Sequence, residues 1–498
     1  GDTLLGDDDD DFDQHWLKNS KIDFKSKDSY LFSYIDYLRR SKFAQGSRTM
    51  RNRIESNSKE IVASFGDPNK KGKWDRRGLL IGAVQSGKTA TYTGVIHAAT
   101  DVGYKIIFLI SGTSNLLRKQ TQERIEEMYI GRCSKENTPP NKRTIGIGKG
   151  TPKYEMKDTM PQNHTTCYSD FTRNKSRDSN DIRKMTAPQI FVIKKNKSVL
   201  ESLIKYVSEY QNIIDMPALI IDDEADLASI NTNANDRSED DKLECEPTTT
   251  NRLIRELLSC FNRKTFLAVT ATPFANIFIN PEAYGDEKLQ DDLFPKDFIH
   301  ALRNPSRYIG GKEIFGIDDE VIEEEQFPDH ANNKKYIRII DDIVPHLADE
   351  NTWKNGRCKV RPKKKDDVIE SIPKSMEHAI CTFLIAKTIR LLRNDLNRHA
   401  SMMINVTVKT NLIEDVKDAV YDYKQQLESE ISNYASLSSS DAEKNSPIIR
   451  YLKKVFYDSY ANITETNPKP ECQFSWNQIQ SKLYDAVTQV EVKSTWGK

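Results

Sequence analysis

The stretch GAVQSGKT, beginning at Gly82 directly after the apolar run Leu79-Leu80-Ile81, constrains this chain more than any other. Gly82, Gly87, Lys88 and Thr89 fill the four fixed positions of G-x-x-x-x-G-K-[ST]. GLLIG before it reads as a buried strand, and TATYTGVIHAAT after it as a helix with its apolar residues on one face. A phosphate is large and doubly charged, so the main chain must wrap it closely, and glycine permits that wrap. The loop amides and the positive end of the next helix then face the anion. The loop residues Gly82, Gln85, Ser86, Gly87, Lys88 and Thr89 are therefore expected to hold ATP, with Lys88 on the β- and γ-phosphates and Thr89 on Mg²⁺. The alternative, a chance glycine turn beside a lysine, leaves the flanking strand and helix unexplained.

A phosphate loop needs a partner strand that delivers carboxylates to the metal. PALIIDDEAD offers one: Ala218 to Ile221 read as a buried strand, with Asp222, Asp223, Glu224 and Asp226 at its end. In open α/β sheets ligands lie at the carboxyl ends of strands. Asp223 is the expected Mg²⁺ ligand and Glu224 the residue that polarises the attacking water. A solvated acidic turn is the plainer reading of this segment taken alone. Asp223-Glu224-Ala225-Asp226 spells the box of DEAD-type helicases. A third strand, Phe266 to Val269, precedes Thr270-Ala271-Thr272-Pro273, which resembles the Ser/Thr-Ala-Thr tripeptide of superfamily-two helicases. Thr270 and Thr272 are expected to hydrogen-bond the carboxylates of the acidic turn, linking it through Asp226 to a nucleic-acid site.

Composition adds limits rather than identity. At 498 residues the chain exceeds one ordinary domain. Lys plus Arg and Asp plus Glu each number 74, so net charge argues neither for nor against nucleic acid. The seven cysteines form no CxxC pair, and zinc is not expected. No apolar run has transmembrane length, so a soluble, cytoplasmic protein is expected.

With three motifs in order, longer stretches resemble the Z-one domain family, superfamily-two helicase-like proteins of bacterial restriction-like and phage-defence operons that are often labelled endonucleases. RRGLLIGAVQSGKTATYTG, PQIFVIKKNKSVLESLIKYV, PALIIDDEADLASINT, TFLAVTATPFANIFIN, SMEHAICTFLIAKTIRLLR and HASMMINVTVKTNLIEDVKDAV carry the resemblance, which runs from about residue 30 to the last residue. It implies an ATP-dependent DNA translocase or helicase-like motor, with a nuclease, a methylase or a MORC-type ATPase as partners. It also implies a second RecA-like lobe whose arginine finger lies in a segment after VEVKSTWGK. An ATP-gated endonuclease and a P-loop switch that binds no DNA are the competing functions. No nuclease site is assigned, because the many acidic and basic clusters lack strand context.

The expected fold is α/β: a P-loop RecA-like parallel sheet with helices on both faces, a helical N-terminal module, and the start of a second RecA-like lobe with a helical insertion. Residues 1–75 are an acidic tail and two amphipathic helices; 76–310 are the first lobe, with polar insertions at 132–183 and 233–250; 311–373 are an irregular linker; 374–498 are the partial second lobe, opened by the strand SMMINVTV. DNA is expected along SGTSNLLRKQTQERI, where Ser111, Thr113, Arg118 and Lys119 would contact backbone phosphates without reading sequence. A capped surface helix with solvated charges is the alternative there. Lys194 and Lys195 are a second candidate, with a basic turn as the plainer reading.

Overall fold

The structure, a computed structural model, describes residues 12–41, 47–172 (apart from 85, 136–137 and 157), 186–229 (apart from 211–212), 248–304 (apart from 278 and 280–291) and 371–495 (apart from 396–398, 407–409 and 462–472), with residues 3–4, 340, 342, 348–354 and 357–362. The chain divides into two compact units, Gly1–Gly310 and Gly311–Lys498.

The first unit is built on one sheet. Its strands are β1 (Thr3–Leu4), β2 (Trp74–Ile81), β3 (Ile106–Ser111), β4 (Gln162–Asn163), β5 (Gln189–Lys194), β6 (Ala218–Asp223), β7 (Arg263–Thr270) and β8 (Phe298–Ala301), in the order β1-β8-β2-β7-β6-β3-β5-β4. Seven strands run parallel and β1 is antiparallel to β8. Parallel strands buried on both faces read as continuous apolar runs, as IIFLIS and ALII do. Alternate residues nevertheless part to opposite sides. Leu80, Ile107, Leu109, Val192, Ile221 and Val269 face one core, and Leu79, Phe108, Ile110, Ile193, Ile220 and Ala268 face the other.

Helices α1 (Trp16–Asn19), α2 (Tyr30–Arg40), α3 (Arg48–Ala63) and α4 (Lys88–Val102) belong to the first face. Next come α5 (Asn115–Ile125), α6 (Lys197–Ser208), α7 (Thr249–Ser259) and α8 (Phe274–Ile277); α6 and α7 cover the second face. The residues expected as a separate N-terminal module are thus part of the first lobe. α2 and α3 pack on α4, the helix after the phosphate loop, which is why α4 is buried nearly all round rather than on one face. The crossing is close: a Cβ on Gly94 would lie 2.2 Å from the Ser58 hydroxyl. Tyr34 donates to the Ala90 carbonyl in the first turn of α4, 3.0 Å away, and stacks on His97. Burial depresses the His97 pKa to about 3, so that ring is neutral.

The polar insertion is less extended than its composition suggests. Ile147, Tyr154 and Met160 enter the first core, and Gln162–Asn163 adds the edge strand β4. Residues 173–185, most of the second polar loop (230–247) and the charged stretch 305–339 lie outside the described residues.

In the second unit the antiparallel pair β9 (Ala348–Lys354) and β10 (Arg357–Pro362) replaces part of the expected irregular linker. Then follow α9 (Lys374–Leu392), α10 (Thr410–Tyr434), α11 (Ser439–Asn445), α12 (Pro447–Phe456) and α13 (Trp476–Thr488) around a core that includes Leu384, Leu427, Leu452, Trp476 and Leu483. The expected strands do not form among the described residues: 401–406 have no regular structure, and VTQVEVK is the end of α13 followed by an irregular segment. Ile404 and Val406 instead lie against the apolar cluster of Leu412 and Val416. A β-prone run needs a neighbouring ladder to satisfy its backbone, and among the described residues none stands beside this one. No described helix is long and apolar enough to cross a membrane.

Candidate nucleotide-binding site

Strand β7 lies between β2, which leads into the phosphate loop, and β6, which leads into the acidic turn. Register makes their carboxyl ends level: Ile81 pairs with Thr270, and Asp223 with Val269. Thr270 joins both sides. Its carbonyl accepts from the Gly82 amide at 3.1 Å, and its hydroxyl donates to Asp226 Oδ1 at 2.6 Å. Thr272 donates to Asp226 Oδ2 at 2.5 Å, and the Ala225 amide donates to the Val269 carbonyl at 3.1 Å. The expected bonds from the Thr-Ala-Thr tripeptide are therefore present, and both fall on Asp226. Despite its partial burial, they hold the Asp226 carboxyl below the usual range.

The described part of the loop is tightly turned. Gly87 is left-handed at φ +97 and caps α4, a conformation that disfavours any side chain. A Cβ on Gly82 would come within 2.6 Å of Lys88 Cγ and 2.7 Å of Ser86 Oγ. Lys88 Nζ donates to the Gly82 carbonyl at 2.9 Å, folded back over the loop. Among the described residues, Ser86 Oγ is buried without a hydrogen-bond partner. Gln85, the remaining loop candidate, lies outside the described residues.

Sequence reasoning missed Tyr92. One helical turn after Thr89, its buried hydroxyl donates to Asp223 Oδ2 at 3.1 Å and interacts with the Thr89 side chain. It therefore brings the loop threonine and the acidic turn into one site. Burial, with the Glu224 charge beside it, pushes the Asp223 carboxyl up to about 6, while the Tyr92 bond pulls the other way. The Asp223 carboxylate and the Thr89 hydroxyl are hard oxygen ligands of the kind Mg²⁺ takes, beside a glycine-containing loop that leads into a helix N-terminus, where phosphates bind. Glu224 sits on the turn at φ +54, left-handed for a non-glycine residue, and is exposed. An isolated i+3 tyrosine was the signal available in the sequence, and it reads equally well as core.

Three of the six expected phosphate contacts need correction. Ser111 is buried and donates to the Ile193 carbonyl across the sheet. Arg118 is buried, donates to the Thr166 and Cys167 carbonyls and pairs with Asp170. Lys195 is buried against Asp222 and the carbonyls of Glu224 and Leu227. All three are consumed inside the lobe, since a buried charge must be paired and a buried hydroxyl hydrogen-bonded. The other three lie nearer the surface. Thr113 is exposed, Lys194 donates to Asn115 Oδ1 at 2.9 Å, and Lys119 lies over the Tyr168 ring. The start of α5 is capped by Ser114, which accepts from the Leu117 amide.

Two family models match the chain: the type III restriction enzyme, res subunit, over residues 47–275, and the Z1 domain over residues 375–498. Among solved structures, the chain is similar to the Pyrococcus furiosus Hef helicase domain at 10% identity and a TM-score of 0.22, over 83% of this chain and 66% of that one. None of the curated proteins compared matches.

Proposed function

We propose that this chain, a Z1-domain (Z-one) protein of the superfamily-two helicase-like class, is an ATP-driven motor that moves along the DNA backbone within a bacterial restriction or anti-phage system. The observation that carries the reading is the convergence at Thr270 of the Gly82 amide and the Asp226 carboxylate, with Tyr92 joining Thr89 to Asp223 on the same sheet end. The match to the type III restriction res subunit supports the restriction context.

The loop amides and the first turn of α4 bind the phosphates of ATP, and Lys88 leaves the Gly82 carbonyl to pair with them. Thr89 and Asp223 would hold Mg²⁺, which would neutralise charge on the phosphoryl oxygens. Glu224 accepts a proton from the attacking water. Asp226, held by Thr270 and Thr272, ties the acidic turn to β7, so displacement of one is felt by the other. Lys119 and Lys194 contact backbone phosphates by charge and Thr113 by a hydrogen bond, which makes binding sequence-independent and salt-sensitive.

The test is the ATPase rate of the chain with and without single- and double-stranded DNA, for the wild type and Lys88→Ala. DNA-stimulated turnover that Lys88→Ala abolishes is expected. Turnover unchanged by that substitution overturns the site, and turnover indifferent to DNA overturns the motor.

A further inference from the structure

Lys195 is a buried charge just after the end of β5. Its Nζ lies 3.0 Å from Asp222 Oδ1, 2.5 Å from the Glu224 carbonyl oxygen and 2.9 Å from the Leu227 carbonyl oxygen. Two of its three N–H donors go to the carbonyls, and the ammonium forms an ion pair with the Asp222 carboxylate. The Lys195 and Asp222 side chains are both fully shielded, at 0% exposure. Two of the contacts go to main-chain oxygens of the acidic turn, and one of those belongs to Glu224, whose backbone is left-handed. Ala228, on the same turn, is also left-handed at φ +63. Such conformations persist in residues with a Cβ only where surroundings over-determine them. The turn is also held by the Leu227 amide on the Glu224 carbonyl, the Glu224 amide on Asp223 Oδ1, the Ala225 amide on the Val269 carbonyl and the Thr270 and Thr272 hydroxyls on Asp226, but of these only the first reaches the Glu224 carbonyl that Lys195 holds.

We propose that Lys195 is a positioning residue for the hydrolytic step: from the end of β5 it fixes the left-handed backbone of Glu224 by grasping the Glu224 and Leu227 carbonyls, with Asp222 as its counter-ion. The proposal rests on reading Glu224 as the residue that activates water. A glycine would adopt this backbone without strain. A glutamate there keeps a side chain whose direction is set by a restraint from another strand. Lys194, the preceding residue, bonds Asn115 at the surface, so adjacent residues of one strand end reach the proposed DNA face and the acidic turn.

Lys195→Met keeps the length and removes the grasp, but leaves Asp222 buried and unpaired, which destabilises the lobe. The double variant Lys195→Met/Asp222→Leu removes both charges, and such replacements are often neutral for stability. In the double variant the melting temperature returns to within a few degrees of wild type. Its kcat for ATP stays about tenfold to a hundredfold down with KM unchanged, as expected when a catalytic group is displaced by about 1 Å. Amide exchange of the 223–229 segment is about tenfold faster than in wild type, while 219–222 exchange as before. Recovery of kcat together with stability, or a turn that exchanges at the wild-type rate in the double variant, overturns the proposal. A wild type with no ATPase activity would sink the hydrolytic reading instead, and the exchange experiment would still decide whether Lys195 holds the turn.

Discussion

Replacing Asp223 by Asn is expected to make the nucleotide-free protein more stable. The Asp223 carboxyl titrates near 6 in the folded chain against 3.8 as a free side chain, chiefly because it is buried and secondly because Glu224 is beside it. A raised folded pKa means that the protonated form is the favoured one: no penalty exists below pH 3.8, and the penalty is complete once the pH has risen through about 6. The difference of about 2.2, at 1.36 kcal/mol each, puts the cost of ionised Asp223 at about 3 kcal/mol at pH 7.5 and about 0.5 kcal/mol at pH 4. Asn has nearly the same volume, carries no charge, and its side-chain oxygen still accepts from Tyr92. Urea unfolding of both proteins in EDTA, at pH 7.5 and pH 4, reads the difference, with the transition of the sheet assigned by amide exchange of the β6 and β7 segments. A gain of the same size at both pH values, or none at pH 7.5, would refute the argument that desolvation of this charge is the stored cost. The same variant loses ATP hydrolysis.

Thr270→Val removes the hydroxyl on Asp226 while keeping shape. A hydrogen bond to a charged group is worth about 1.5–3 kcal/mol, so a lower melting temperature is expected, with DNA stimulation of the ATPase lost before ATP affinity changes. Arg118→Ala separates the corrected reading from the original one. Loss of its contacts to Asp170 and two carbonyls lowers stability by about 3 kcal/mol, and the slope of DNA affinity against salt stays that of wild type, whereas Lys194→Ala reduces that slope. Gly78→Ala sets a Cβ 2.1 Å from the Phe298 ring. Overpacking between β2 and β8 costs about 1–3 kcal/mol, read as a lower urea midpoint.

The three motifs were legible because each is a short-range pattern: a strand, a turn of required residue types, and a helix or second turn. Thr270 and Thr272 could be paired with the acidic turn from order alone, although only the register shows that both hydroxyls fall on Asp226. Lys195, Arg118 and Ser111 were misread for one reason. A basic or hydroxyl residue at a strand end looks the same in sequence whether it faces solvent or a buried carbonyl, and the partners that decide it, Glu224 at 29 positions away and Thr166 at 48, are distant in the chain. Tyr92 was hidden because an aromatic residue on an apolar helix is ordinarily core. The N-terminal helices were separable by composition but not in space, since the apolar stripe of α2 has α4 as its partner. The stretch 401–406 shows the converse: its β-branched residues suggest a strand, and packing decided otherwise.

The position of β7 also bears on how this lobe is made. β2 is complete by residue 81 and β6 by residue 223, yet the strand that separates them ends at Thr270. As the chain leaves the ribosome, both halves must wait with open hydrogen-bonding edges until the later segment slots between them. Assembly is therefore non-local and slow, and the nascent intermediate exposes unpaired, Val/Ile/Leu-rich edges of the kind that recruit chaperones or self-associate.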